Sequence, residues 1–103
     1  MKKLVPTALP SRLSQLADGW KIIGEHHLEH TYLFPDFKSG LAFVNQVGQL
    51  AEERNHHPDI HLAWGRVRIE LWTHAAGGLT QADFDFAAKI DAQLTPRRYS
   101  ATG

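Results

Sequence analysis

The sequence predicts an α+β domain built on an antiparallel sheet, with elements in the order α-β-β-α-β-β-α. Three observations carry this. Two pairs of short runs with strand character are each joined by a glycine turn, as hairpins are. Two longer segments repeat their apolar residues at helical spacing behind a capping residue. The hairpins and helices come in blocks that leave the helices on one side of the sheet. At 103 residues the chain has the length of one domain, read here as residues 1–103. A chain of this size buries roughly 60–70% of its unfolded surface, enough for one core.

Residues 1–10 contain Pro6 and Pro10 and read as an irregular lead-in. Ser11 to Ala17 reads as a short helix with Leu13 and Leu16 on one face, stopped by Asp18-Gly19. Trp20 to Ile23 is a short strand that turns at Gly24. From His27 to Phe34 the pattern alternates, with Leu28, His30, Tyr32 and Phe34 on one face and His27, Glu29, Thr31 and Leu33 on the other. Pro35-Asp36 ends this strand, and Asp36 is placed to cap a helix. That helix, Phe37 to Asn55, carries Phe37, Leu41, Val44, Val47 and Ala51 at helical spacing, with Phe43 and Leu50 beside them. So wide a stripe predicts two contact surfaces, one for the sheet and one for another subunit. Gly40 and Gly48 weaken the helix by about 1 kcal/mol each relative to Ala, which close helix–helix approach would explain.

His57-Pro58 is expected to close the helix, because the residue before a proline is pushed out of the α region. Ile60 to Trp64 and Arg66 to His74 read as strands about a turn at Gly65. Val67, Ile69 and Leu71 face the helices, while Arg68, Glu70, Trp72 and His74 face the other way. Ala75 to Gly78 is a loop. Thr80 to about Leu94 is the last helix, with Thr80 and Asp83 spaced as a capping box. Phe84, Phe86, Ala87, Ala88, Ile90 and Leu94 supply its apolar side, and the tail from Thr95 is expected to fray.

Composition excludes several function classes. Eleven basic side chains balance eleven acidic ones, so no global field attracts nucleic acid. The scattered Arg12, Arg97 and Arg98 make no nucleic-acid footprint. A chain near zero charge is less protected from self-association, which favours an oligomer. With no cysteine there is no disulfide framework, thiolate zinc site, iron–sulfur cluster or cysteine nucleophile. The Met1-Lys2-Lys3 start is not followed by an apolar signal core, and no stretch reaches the roughly 20 apolar residues of a membrane span, so the expected location is the cytoplasm.

The chemistry-bearing residues are histidines, seven in all. Imidazole exchanges protons near neutral pH. His56 and His57 stand at the helix-to-strand junction, either facing a pocket or serving as ordinary C-terminal helix histidines. His74 shares strand parity with Trp72, either in a site or on a solvated sheet face. Glu52 lies one helical turn before His56 and is spaced to pair with it. Asp83 could orient a histidine, although capping already accounts for it. Trp20 and Trp72 suit either stacking on a planar ligand or core filling. His26, His27 and His30, with Glu25 and Glu29, invite a metal. Strand parity separates His27 from His30, and no HExxH pattern is present, so no metal is expected. Nucleophile-elbow and glycine-rich phosphate motifs are absent as well.

Glu52, then His56-His57-Pro58, Trp64, His74 and Asp83 together resemble the pterin-4a-carbinolamine dehydratases. Asp18-Gly19-Trp20, the strand Arg66-Val67-Arg68-Ile69-Glu70-Leu71, and Gly78-Leu79-Thr80 resemble that family too, so the likeness spans residues 9–94. One departure is Asn55, where many members carry an acidic residue. The resemblance implies a four-stranded antiparallel sheet with three helices on one face. It also implies a pterin pocket on the open face, lined by His56, His57 and His74. It implies loss of water from a 4a-hydroxy-tetrahydropterin, in service of a pterin-dependent hydroxylase and without cofactor or metal. In this reading His56 and His74 transfer protons and His57 holds the pterin. Glu52 orients His56, Asp83 supports the site, and Trp20, Pro58 and Trp72 help bind the substrate. Family likeness further implies a homodimer or homotetramer. The alternative is a dimerisation cofactor acting through the long helix.

Overall fold

Strand alternation settles which side of the sheet is covered. In the computed structural model, which describes residues 2–94, β1 (Lys21–Ile23), β2 (His27–Leu33), β3 (Asp59–Ala63) and β4 (Arg66–Leu71) form one antiparallel sheet in the order β1-β2-β4-β3. The register pairs Ile22 with Leu28 and Leu28 with Leu71, then His30 with Ile69 and Ile60, then Tyr32 with Val67 and Leu62. These rows face three helices: α1 (Leu9–Leu13), α2 (Phe37–Arg54) and α3 (Gln81–Gln93). Leu28, Val67, Ile69, Leu71, Val47, Phe86, Ala87 and Ile90 are fully buried between the layers. The opposite rows carry Lys21, Glu29, Glu70 and Asp59, and then Thr31, Arg68 and His61. The predicted fold class and element order therefore hold.

Several local expectations are corrected. The lead-in is not wholly irregular: Pro6–Ala8 makes one 3₁₀ turn, and α1 then starts at Leu9, which is buried. Pro10 explains the early start, since proline is tolerated in a helix's first turn. The frayed tail expected from Thr95 lies outside the described residues. Strand β4 stops at Leu71, and His74 opens a 3₁₀ turn (His74–Ala76) instead of ending a strand. Trp64 does not share the burial of Ile60 and Leu62. It sits in the Trp64-Gly65 turn and is 72% exposed. Ala88 faces solvent, off the apolar side of α3.

The helix ends show how local chemistry sets geometry. Asp36 caps α2 by accepting from the Ser39 N–H at 2.8 Å, and this bond holds its carboxyl below the usual range. At the other end the stop is Asn55, not the His-Pro pair. Its φ of 50° is left-handed, a conformation that Asn tolerates better than most residues. The inner face of α2 is Gly40, Phe43, Val47, Leu50 and Ala51. A Cβ on Gly40 would lie 3.2 Å from Leu62 Cδ1, so this glycine serves helix–sheet approach, not helix–helix approach. Nothing crowds Gly48. Phe37 and Leu41 remain 45% and 40% exposed, which leaves the second half of the apolar stripe uncovered in the single chain.

The Asp18-Gly19-Trp20 segment locks β1 to the core. Gly19 has a φ of 109°, and a Cβ there would collide with the His30 imidazole. That ring lies flat on Tyr32 (centroids 3.8 Å apart) and edge-on to Trp20 (4.9 Å). Burial pushes the His30 pKa below its free value of 6.5, against the opposing effect of its hydrogen bond to the Thr31 carbonyl. The neutral ring therefore stabilises the fold fully above about pH 6.5, and that contribution is lost as pH falls toward the folded value. Gly19→Ala is expected to lower unfolding free energy by about 1–3 kcal/mol in urea titration, from positive-φ strain together with the clash. His30→Phe keeps the stack and removes the titration. Its stability, measured between pH 7 and pH 5, is expected to fall less steeply than that of the unmodified chain.

Candidate functional site

The site is assembled where the C-terminus of α2, the end of β4 and the start of α3 converge. Asn55 turns the chain out of α2, and the His56 N–H still bonds back to the Ala51 carbonyl at 3.1 Å. This turn swings the His56 ring over the first turn of α3. There His56 Nε2 meets Asp83 Oδ1 at 2.6 Å. Asp83 is completely buried. Its other oxygen accepts from Thr73 Oγ1 at 2.9 Å and from the Thr80 backbone N–H at 2.8 Å. With Thr73 donating to Asp83, the Thr80 hydroxyl is left to donate to Thr73 across 2.7 Å. The capping box of α3 is thus present, and the same carboxylate also fixes a histidine.

The expected pairing of Glu52 with His56 is corrected. Glu52 Oε2 instead meets His57 Nε2 at 2.5 Å, on an exposed surface. The left-handed step at Asn55 breaks helical spacing, so the i,i+4 relation from Glu52 does not carry through to His56. Pro58 follows as the extended step into β3 and does not line the cavity. His57 and His56 point to different carboxylates, so the two adjacent rings have separate anchors.

A cavity of about 300 Å³ lies between these groups, lined by Asn55, His56, His57, Trp72, Thr73, His74 and Ala75. Trp72 is its aromatic wall and stacks on His74 with centroids 4.4 Å apart and planes 18° apart. On the far side, the Trp72 indole touches His26 at 5.1 Å and His27 at 5.8 Å. Trp20 does not take part. It is 5% exposed, packed in the core, and donates its indole N–H to Asp91 Oδ1 at 2.9 Å. The structure therefore brings together His56, His57, His74, Trp72 and Asp83, with Glu52 behind His57. It leaves Trp20 in the core on the sheet's covered side. Thr73 is the residue that sequence reasoning missed. A lone threonine beside a histidine carries no signal until the β4–α3 connection brings it under Asp83. Chemically, the pocket offers a carboxylate-anchored imidazole, further imidazoles in its lining and a flat aromatic wall.

Comparison with known proteins identifies the family. Residues 2–93 match the family model described as "Pterin 4 alpha carbinolamine dehydratase". Two relatives share the name "Putative pterin-4-alpha-carbinolamine dehydratase". One, from Alkaliphilus metalliredigens (strain QYMF), is 52% identical over 81 residues, covering 79% of this chain and 73% of the relative. The other, from Acidobacterium capsulatum, is 48% identical over 94 residues, covering 91% of this chain and 100% of the relative. A crystal structure of a transcriptional coactivator/pterin dehydratase from Brucella melitensis superposes with a TM-score of 0.81 at 32% identity, over 88% of this chain and 97% of that one. A pterin dehydratase-like protein identified as a RuBisCO assembly factor in the alpha-carboxysome superposes with a TM-score of 0.61 at 28% identity, over 72% of this chain and 87% of that one. By sequence over nearly its whole length, and by fold, the chain belongs to the pterin 4 alpha carbinolamine dehydratase family.

Proposed function

We propose that this protein removes water from a 4a-hydroxy-tetrahydropterin to give the quinonoid dihydropterin. The observation that carries the proposal is His56, anchored to the buried Asp83 and lining a cavity together with His57, His74 and Trp72. In the reaction the C4a–O bond breaks, the hydroxyl takes up a proton and leaves as water, and N5 loses its proton as the C4a=N5 double bond forms. Electrons balance within the pterin, so the step calls for a proton donor and a proton acceptor only. Each contributes about 10²–10⁴-fold.

His56 and His74 are assigned these transfers. Asp83 engages His56 at Nε2, which holds the proton on that nitrogen and leaves Nδ1 as the atom free to exchange one with substrate. His74 lines the same cavity with its ring stacked on Trp72, so a flat pterin on that wall would lie beside it. His57, held by Glu52, hydrogen-bonds the pterin ring. Asp83 is a positioning residue. A pterin-dependent hydroxylase would supply the substrate and a reductase would take the product, placing the protein in tetrahydropterin recycling in the cytoplasm. No helix among the described residues is long and apolar enough to cross a membrane.

A second reading rests on a different surface. Phe37 and Leu41 expose apolar area on the outer face of α2, where a homo-oligomer contact or a partner protein would sit. The solved structures of a transcriptional coactivator/pterin dehydratase and of a RuBisCO assembly factor lend this weight.

The decisive assay is the decay of 4a-hydroxy-tetrahydropterin generated in situ by a hydroxylase. The chain should accelerate it, and His56→Ala and His74→Ala should each lose about 10²-fold or more in turnover. His57→Ala should chiefly raise KM. A folded chain that leaves the decay rate unchanged would shift the assignment to the binding-module reading. Asp83→Asn should lower kcat with little change in KM and displace the pH profile, while Thr73→Val should do the same more weakly. For the α2 surface, Phe37→Glu with Leu41→Glu should reduce the mass measured by light scattering if that face joins subunits, with the fold intact by circular dichroism.

A further inference from the structure

The open face of the sheet holds a second cluster, which the proposed dehydration does not use. His27 and Glu29 lie two residues apart on β2 and so project to the same side. Glu29 pairs directly with Glu70 across β2 and β4. One ligand atom from each of His27, Glu29 and Glu70 lies within 4.8 Å of the others, and all three residues are half-buried. Parity had set His27 apart from His30. It leaves His27 and Glu29 on one face, and cross-strand pairing then supplies a third ligand from a distant part of the chain.

Two further features point to a cation here. Like charges placed directly opposite in an antiparallel pair destabilise it. Glu29 and Glu70 are such a pair, and Glu29 makes no recorded ion pair or side-chain hydrogen bond among the described residues. Glu70 is oriented by its neighbours on the same face: Arg68 Nε bonds Oε2 at 3.1 Å, and His61 Nε2 lies 3.4 Å from Oε1. Carboxylates that ligate metals are commonly oriented by such outer partners, and each oxygen keeps a lone pair for a further contact.

We propose that His27, Glu29 and Glu70 form a binding site for a divalent transition-metal ion. One imidazole and two carboxylates suit zinc or manganese, with bonds of about 2.0–2.2 Å for zinc. Small side-chain rotations bring the three ligands in from their present spacing. Three protein ligands leave coordination positions for water or an anion. The ion would tie β2 to β4, and one of its ligands, the His27 ring, packs against Trp72. The site stands apart from the His56–Asp83 pair, and it does not depend on the dehydratase assignment.

The test is zinc titration by calorimetry of the chelator-treated full chain at pH 7.5, repeated with cobalt(II) for its visible absorption. One ion per chain is expected. Glu29→Gln, Glu70→Gln and His27→Ala should each weaken binding at least tenfold, and His56→Ala/His74→Ala should leave it unchanged. The Glu→Gln variants preserve shape, so they serve if His27→Ala does not fold. Absence of stoichiometric binding overturns the proposal. So does binding that survives Glu29→Gln/Glu70→Gln or disappears in the His56→Ala/His74→Ala variant.

Discussion

The site depends on one buried carboxylate. Asp83 is fully enclosed, and an ionised group in that position is tolerable only if its oxygens are satisfied. It meets His56, Thr73 and the Thr80 N–H, and these three partners come from three separate parts of the chain. The end of α2, the end of β4 and the start of α3 are thereby fixed to a single point. The carboxylate that caps the last helix through one oxygen orients the imidazole through the other. Any change to this carboxylate therefore touches folding and chemistry together.

Sheet geometry explains why the pocket sits at the edge of the open face. Helices cover one face completely, and apolar rows from all four strands fill it. The other face has only its side chains to offer. At the α2–β4 end, Trp72, His74, His26 and His27 make a continuous run of rings. Toward the middle, the same face turns ionic with Glu29, Glu70, Arg68 and His61. Trp72 and His74, at one end of this run, share a cavity with His56 and His57, and the proposed flat ligand would stack there.

The sequence made much of this legible, for identifiable reasons. Val67, Ile69 and Leu71 alternate so strictly that both the strand and its covered face followed. Thr80 and Asp83 have the spacing of a capping box, and the box forms. What sequence could not show was where spacing stops applying. A count of four from Glu52 reaches His56 only if the helix continues, and the left-handed Asn55 ends it one residue short. Trp20 suited core filling or a ligand by itself, and the family resemblance set it at the pocket. Its indole N–H finds Asp91, a partner 71 residues away that no local pattern announces. Thr73 had no signal at all, because its role arises only when β4 and α3 meet.

The two adjacent histidines show how a backbone turn divides labour. His56 and His57 have identical chemistry and neighbouring positions, so sequence alone cannot rank them. After Asn55, one ring turns inward to a carboxylate with no access to water, and the other turns outward to one that is freely solvated. An imidazole anchored to a buried acceptor keeps one orientation and one protonated nitrogen through a catalytic cycle. A ring paired on the surface exchanges partners with solvent at little cost, since exposed ion pairs contribute about 0–1 kcal/mol. The proposed proton transfer suits the first kind of histidine, and holding a ligand that must later leave suits the second. The positions of Asp83 and Glu52, more than the His-His-Pro motif itself, therefore favour His56 as the proton-transferring member of the pair.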